Sequence, residues 1–322
     1  MEQNLQQISE RIKKAKRVAI CTHMRPDGDA IGGTLALSRA LDSLGIENET
    51  LVESDIPSNL CFLDGVQKMQ KQPSGEFDLL VAVDCADIQR LGALSDVFLS
   101  APRKRIDTVN IDHHISNTRF ANYNYVRECA ANCMNIATLI SYLGASLDKK
   151  TAEYLFVGLL TDSGNFSHDD VDGEAFDLAS KLVQTGVDVR YYNYNLFKKQ
   201  SKARAALYAL TMSGIRYFFD DRFAVIVISQ DMMKKCGADK GMTEGFVDFP
   251  LNIEGIEVAA SIMEDKYRQY KISLRTKEYA DANKIAGVFG GGGHVRASGC
   301  MLFGEVEEVI DRLSYAVSQY LE

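Results

Sequence analysis

The spacing of apolar residues changes period several times along the chain, and each change marks an element. Leu5, Ile8 and Ile12 recur at helical spacing, which predicts an amphipathic helix over about 4–15. Arg17 to Cys21 reads as a strand, and Gly33 to Leu44 as a helix ended by Gly45. Thr50 to Glu53 reads as a second strand. Asp78 to Asp84 is an apolar run bounded by acids, the pattern of a strand buried on both faces of a parallel sheet. A helix over 88–99, a strand over Thr108 to Ile111 and helices over about 132–144, 150–160 and 173–185 follow. Strands alternating with helices predict an α/β domain, a doubly wound and mostly parallel sheet, over residues 1–187.

Beyond Gly186 the texture changes. Residues 188–213 are rich in Tyr, Asn, Lys and Ala and read as a helical connector; 214–322 reads as a smaller mixed α/β domain. There, apolar runs flank Asp220-Asp221 in a hairpin pattern, and strands follow over Ile256 to Met263 and Tyr267 to Thr276. A helix near 281–288, four glycines at 290–293, a strand over 299–303 and a helix over 305–321 complete it. A length of 322 residues suits two such domains better than one core.

Composition narrows the class. No window approaches eighteen unbroken apolar residues, and Met1 to Arg17 has no apolar signal core, so neither a membrane span nor a secretion signal is expected. Seven cysteines without a Cys-x-x-Cys pair fit a reducing cytoplasm rather than a disulfide framework. A net charge of −8 argues against a broad nucleic-acid surface. Any such contact is expected to be local and short, with no large nucleic-acid complex.

The candidate chemistry starts at Cys21 to Gly33, which places His23, Asp27 and Asp29 within one predicted strand-to-helix turn. Two other predicted strands end at Asp84 and at Asp112-His113-His114, and Asp162 opens a further turn. An Asp after a strand is ordinarily a helix cap, and a His pair is ordinarily structural. In open α/β sheets, however, ligands sit beyond the carboxyl ends of the strands, so these groups are expected to converge. His168, in an acidic loop, reads as surface. Carboxylates with imidazole and no thiolate suit two Mn²⁺ or Mg²⁺ ions rather than a structural Zn²⁺. Two such ions about 3.5–4 Å apart serve phosphoryl transfer, with Asp84 the expected bridge. In the second domain, Phe289 to Gly299 carries the glycine run with His294 and Arg296, a candidate anion nest of backbone N–H groups. Arg275 is either a second anion contact or a solvated strand-face charge.

These stretches resemble the motifs of the DHH phosphoesterase superfamily. His23 to Gly32, Val83-Asp84, Asp112-His113-His114 and Gly158 to Phe166 are similar to its four metal-domain motifs, and Gly290 to Gly299 to the signature of its DHH-associated C-terminal domain. The resemblance covers nearly the whole chain. It is strongest to the type that degrades very short RNA and dephosphorylates 3′-phosphoadenosine 5′-phosphate (pAp). It implies two Mn²⁺ ions, with Mg²⁺ or Co²⁺ as substitutes, held by His23, Asp27, Asp29, Asp84, His113 and Asp162. It further implies Asp112 orienting the motif, His114 facing the scissile phosphate or protonating the leaving oxygen, and Arg275, Gly292, Gly293 and His294 binding the terminal phosphate or base. Arg296 is counted with the substrate contacts. A homodimer is compatible with the sequence.

Departures touch substrate choice rather than the ligand set. Ala131 to Asn135 replaces a small-hydroxyl pair and Glu, and Val295 to Ser298 replaces an Ala-rich run. Hydrolysis of cyclic di-AMP or linear pApA is the alternative reading. Pyrophosphatases of the superfamily carry a basic motif in place of the glycine signature, and Lys198-Lys199-Gln200 in the connector is read as coincidence.

Overall fold

The computed structural model of the chain describes residues 2–321. It separates into two units, Met1–Lys199 and Gln200–Glu322.

The first unit is a five-stranded parallel sheet wrapped by helices. In chain order its main elements are α1 (Glu2–Lys14), β1 (Arg17–Thr22), α2 (Gly28–Ser43), β2 (Glu47–Leu51), β3 (Leu79–Val83), α3 (Leu94–Ser100), β4 (Asp107–Asp112), β5 (Tyr123–Val126), α4 (Asn132–Leu143), α5 (Lys149–Asp162), α6 (Gly173–Gln184) and α7 (Val189–Asn193). The strand order is β2-β1-β3-β4-β5, with every neighbouring pair parallel. The apolar runs explain this burial. In β1, Val18 and Ile20 enter the large core with α1, α2, α4 and α5, while Ala19 and Cys21 face a smaller core with Leu94 and Phe98 of α3. Strand order reverses between β1 and β3, and such a switch point opens a crevice at the strands' carboxyl ends.

Two helices differ from the sequence reading in a way that matters for the site. α2 begins at Gly28 rather than Gly33, because Asp27 caps it and glycines at 28, 32 and 33 are tolerated inside it. A Cβ on Gly32 would lie 2.4 Å from the Tyr154 carbonyl oxygen, and one on Gly28 would lie 2.4 Å from the Thr161 hydroxyl. These glycines let α2 pack directly on the backbone of α5. α5 runs through to Asp162, past the predicted end at 160. β5 was not predicted at all: Tyr-Asn-Tyr-Val is a short, polar edge strand.

The segment expected as a connector divides. α7 and the π-helical turn Tyr194–Lys198 lie in the first unit, while α8 (Lys202–Met212) lies in the second and packs on its sheet through Leu207. The second unit is a six-stranded mixed sheet. It contains β6 (Arg216–Phe218), β7 (Phe223–Ile228), α9 (Gln230–Cys236), α10 (Asp248–Leu251), β8 (Val258–Lys266), β9 (Gln269–Thr276), α11 (Ala282–Gly287), β10 (Gly292–Gly293), β11 (Ala297–Phe303) and α12 (Val306–Ser318). The order is β10-β11-β9-β8-β7-β6, and only β7 and β8 run parallel. α11 and α12 cover one face, where Val258, Ile272, Leu302 and Leu313 meet. Among the described residues, no helix is long and apolar enough to cross a membrane.

Candidate metal centre

Backbone hydrogen bonds decide how each side chain in the first unit is presented. After β1 the chain turns at His23, which is 2% exposed. The His23 Nδ1 lies 2.9 Å from the Met24 carbonyl, which can only accept, so Nδ1 carries a proton and Nε2 is turned towards the carboxylates. His113 repeats the device: its Nδ1–H donates to the Cys129 carbonyl at 2.8 Å, again turning Nε2 towards the carboxylates. Two imidazoles fixed in the tautomer that exposes Nε2 match how metal-binding histidines are held.

The carboxylates meet those nitrogens. Asp27 spends one oxygen on capping α2, accepting from the N–H groups of Asp29 and Ala30, and its other oxygen lies 4.0 Å from His23 Nε2. Asp29 is fully buried and accepts from the N–H groups of Asn132 and Cys133. It thereby closes the N-terminus of α4, which has no side-chain cap of its own, and the positive helix end stabilises the charge. Asp162, at the last turn of α5, places an oxygen 3.3 Å from His113 Nε2.

Asp84 stands in the middle. It follows β3 in the left-handed region, φ +56°, and is 2% exposed. One carboxylate oxygen lies 3.5 Å from His23 Nε2 and the other 3.5 Å from His113 Nε2. The second of these oxygens is buried without a hydrogen-bond partner. A buried orphan acceptor costs free energy unless something electropositive meets it. The residues present therefore fit divalent cations. Potential ligand atoms gather in two groups, His23-Asp27-Asp84 and Asp29-His113-Asp162, each within 4.8 Å, and Asp84 also groups with His113 and His114.

The electrostatics carry the same strain. Burial raises Asp29 far above the usual carboxylate range, and Asp84 and Asp162 add to it. Burial lifts Asp162 to about 7, with His113 pulling the other way. Burial opposes a charge on His113, but the Asp29 and Asp84 carboxylates hold it up to about 9. For Asp84, burial alone would raise the value; His23 and His113 bring it below the usual range. Protons thus occupy places that a cation would relieve.

Beside this cluster, the Asp112 carboxylate takes the Nδ1–H of His114 at 2.8 Å. That bond, partly offset by burial, raises His114 above the ordinary imidazole value. His114 is more open than His23, its side chain one-third exposed, so its Nε2 is available to a substrate. Sequence reasoning missed the next residue in this chain. Asn117 donates to the other Asp112 oxygen at 2.6 Å and to the Asn110 side chain at 2.8 Å, fixing Asp112 from behind. An Asn three residues past a His pair was the available signal. His168 is exposed as expected, yet its Nδ1–H holds the Asp162 carbonyl at 2.8 Å.

In the second unit, most of the expected anion contacts already have partners within the chain. The glycine run is not a nest of free amides. The N–H groups of Gly290 and Gly291 bond to Gly287 and Ala286, that of Gly293 to the Asn283 side chain and that of His294 to Ala297. Gly291 and Gly293 allow close approach: a Cβ on Gly291 would lie 2.3 Å from the Gly299 carbonyl oxygen, and one on Gly293 2.6 Å from that of Ala297. The Arg296 guanidinium is likewise engaged, donating to the Ala280 and Glu278 carbonyls. Arg275 lies next to this hairpin, opposite Ala297, with its Nε 3.4 Å from Asp248. His294, Gly292 and Gly293 are exposed.

The comparisons with known proteins agree with this division. The N-terminal domain of the DHH family matches residues 17–159, and the DHHA1 domain matches residues 220–322. The chain is similar to a Thermus thermophilus protein named bifunctional oligoribonuclease and PAP phosphatase NrnA, 31% identical over 312 residues, covering 94% of this chain and 90% of that protein. A Streptococcus mutans protein carrying that name with the qualifier "probable" is 26% identical over 302 residues, 91% of each chain. The crystal structure of an exopolyphosphatase-related protein from Bacteroides fragilis superposes with a TM-score of 0.89 at 26% identity, covering 99% of this chain and 97% of that one.

The chain belongs to the DHH family, with a DHHA1 domain following.

Proposed function

We propose that this DHH-family phosphoester hydrolase uses two divalent cations, Mn²⁺ first among them, to cleave oligoribonucleotides of about two to five nucleotides into mononucleotides and pAp into AMP and phosphate. The observation that carries the reading is Asp84. Its two oxygens face two separate imidazole and carboxylate groups, and one of them is otherwise an orphan. The names of the similar proteins support the substrate class.

His23, Asp27 and one oxygen of Asp84 would hold one ion; Asp29, His113, Asp162 and the other oxygen would hold the second. When bound, a pair of cations spreads the charge of the phosphoryl group and makes a water more acidic at neutral pH. The chain's own residues do the rest. The Asp112 carboxylate keeps the His114 proton on Nδ1 and raises the proton affinity of the ring. His114 Nε2 then carries a proton to the leaving oxygen as the phosphorus–oxygen bond breaks. Asn117 keeps Asp112 from rotating. The buried floor of His23, Asp29 and Asp84 limits water around the reacting phosphate, where charge interactions are strongest. Nucleotide contact in the second unit is assigned to Arg275, Gly292, Gly293 and His294.

The test is direct. Purified protein with Mn²⁺ is expected to release mononucleotides from di- to pentaribonucleotides and phosphate from pAp. Protein that turns over neither defeats the proposal. Including pApA and cyclic di-AMP in the panel ranks the alternative substrates.

A further inference from the structure

The turn that supplies His23 also presents two arginines that the metal chemistry does not use. Arg25 and Arg90 are exposed and, with Met24, line a cavity of about 290 Å³. The Arg90 guanidinium lies 3.4 Å from His23 Nδ1. That nitrogen already gives its proton to the Met24 carbonyl, so it offers Arg90 no acceptor in the tautomer that exposes Nε2. Among the described residues neither arginine side chain has a carboxylate partner. The nearby Glu53 is turned to the Ala93 N–H at 2.7 Å.

The backbone holds this pair in place. The Met24 N–H donates to the Arg90 carbonyl at 2.7 Å, tying the two loops together. Arg25 sits at φ +55° and donates its N–H to the Ser54 hydroxyl at 2.7 Å. A left-handed conformation suits glycine or asparagine far better than arginine, and strain of this kind persists at functional sites. A solvent-facing charge would have no need of such a position. The other edge of the His23 ring faces Asp84 and Asp27 at 3.5 and 4.0 Å. One imidazole therefore separates the guanidinium from the candidate ligands.

From this placement we infer that Arg25 and Arg90 form a clamp for the phosphate next to the scissile one: the second phosphate of a nucleoside bisphosphate, or the adjoining phosphodiester of a short RNA. The chemistry is that of paired guanidinium forks on phosphate oxygens. The inference rests on the function proposed above, and it deepens that function by naming what distinguishes a two-phosphate substrate from a one-phosphate one.

The experiment compares kcat/KM for pAp with that for bis(p-nitrophenyl) phosphate, which has no neighbouring phosphate, in wild type, Arg25→Gly, Arg90→Gln and the double variant with Mn²⁺. Loss of charge-assisted hydrogen bonds is expected to lower the pAp preference about ten- to a hundredfold, mainly through KM. Arg25→Gly is the informative single change, because it relieves the backbone and so keeps or raises thermal stability while still lowering the preference. An unchanged ratio in the double variant overturns the clamp, as does equal loss on both compounds. If wild-type protein cleaves the nitrophenyl ester but not pAp or RNA, the proposed function fails alone, and pAp is then used as an inhibitor. If it cleaves neither, calorimetric binding of pAp replaces the rates. In both cases an unchanged affinity in the double variant overturns the clamp, and a tenfold weakening supports it.

Discussion

The packing of α2 on α5 sets where half of the candidate ligands stand, so Gly32→Ala should damage the proposed metal centre without unfolding the protein. The added methyl would meet the Tyr154 carbonyl oxygen at 2.4 Å and the Gly158 nitrogen at 3.1 Å. Ordinary contact starts near 3.4 Å, so α2 and α5 must separate by about 1 Å at a point where both partners are backbone and neither can rotate away. Asp29 rides on α2 and Asp162 on α5, so the shift falls between ligands of one candidate ion. Overpacking of this kind costs about 1–3 kcal/mol. Replacing a helical glycine by alanine returns about 0.5–1 kcal/mol. The net loss, roughly 0–2.5 kcal/mol, is small beside the ~5–15 kcal/mol of an ordinary domain. A misplacement of about 1 Å in a reacting constellation can cost about a hundredfold in rate. Denaturant unfolding, Mn²⁺ calorimetry and turnover of pAp should therefore show modest destabilisation, weaker metal uptake and a rate reduced about a hundredfold. Gly173→Ala is the control, since its Cβ would meet nothing within 4 Å. Wild-type Mn²⁺ affinity and turnover in Gly32→Ala, or equal damage in Gly173→Ala, would refute the reasoning.

Further outcomes follow from the same geometry. Asn117→Ala frees Asp112 to rotate and should lower kcat about ten- to a hundredfold with KM and Mn²⁺ affinity little changed; a matching loss of metal affinity would place Asn117 in the fold of the site instead. The pH dependence of the chelated protein has a definite sign. His113 is held up to about 9 from 6.5 and Asp162 to about 7 from 3.8, so both bind protons more tightly folded than unfolded. Their stabilisation is complete below the unfolded values and is lost as pH rises through the folded ones. The thermal midpoint of the chelated protein should fall between pH 5 and 9, and Mn²⁺ uptake should strengthen over that range with proton release seen in buffer-dependent calorimetry; a rising midpoint would contradict it. His168→Ala removes the bond on the Asp162 carbonyl and should weaken Mn²⁺ binding several-fold, which titration calorimetry would detect.

Much of this was legible because buried parallel strands write themselves as apolar runs. Arg17 to Cys21 and Asp78 to Asp84 read correctly, and the acids and imidazoles just beyond them could be expected to converge. The gathering of His23, Asp84 and His113 followed from the rule that such strands end together; Asp162, at the end of α5, joined the set through the family resemblance. What escaped was set by tertiary contact. Gly28, Gly32 and Gly33 look like helix breakers by propensity, but α5 crowds Gly28 and Gly32, and Val83 with Ile136 crowds Gly33, so a side chain has no room there. β5 is a polar edge with little periodicity. The glycine run reads as a nest only until its amides are traced to Ala286, Gly287, Asn283 and Ala297. Asn117 and His168 act through single bonds from loops, which no local pattern announces.

The central claim is that Asp84 joins two cations into one hydrolytic centre. It is tested by the rate of phosphate release from pAp with Mn²⁺ in wild type, in wild type stripped by chelator, and in Asp84→Ala. The account predicts turnover in the first and loss of at least a thousandfold, roughly 4 kcal/mol of transition-state stabilisation, in the other two. Turnover that survives either chelation or Asp84→Ala would contradict it.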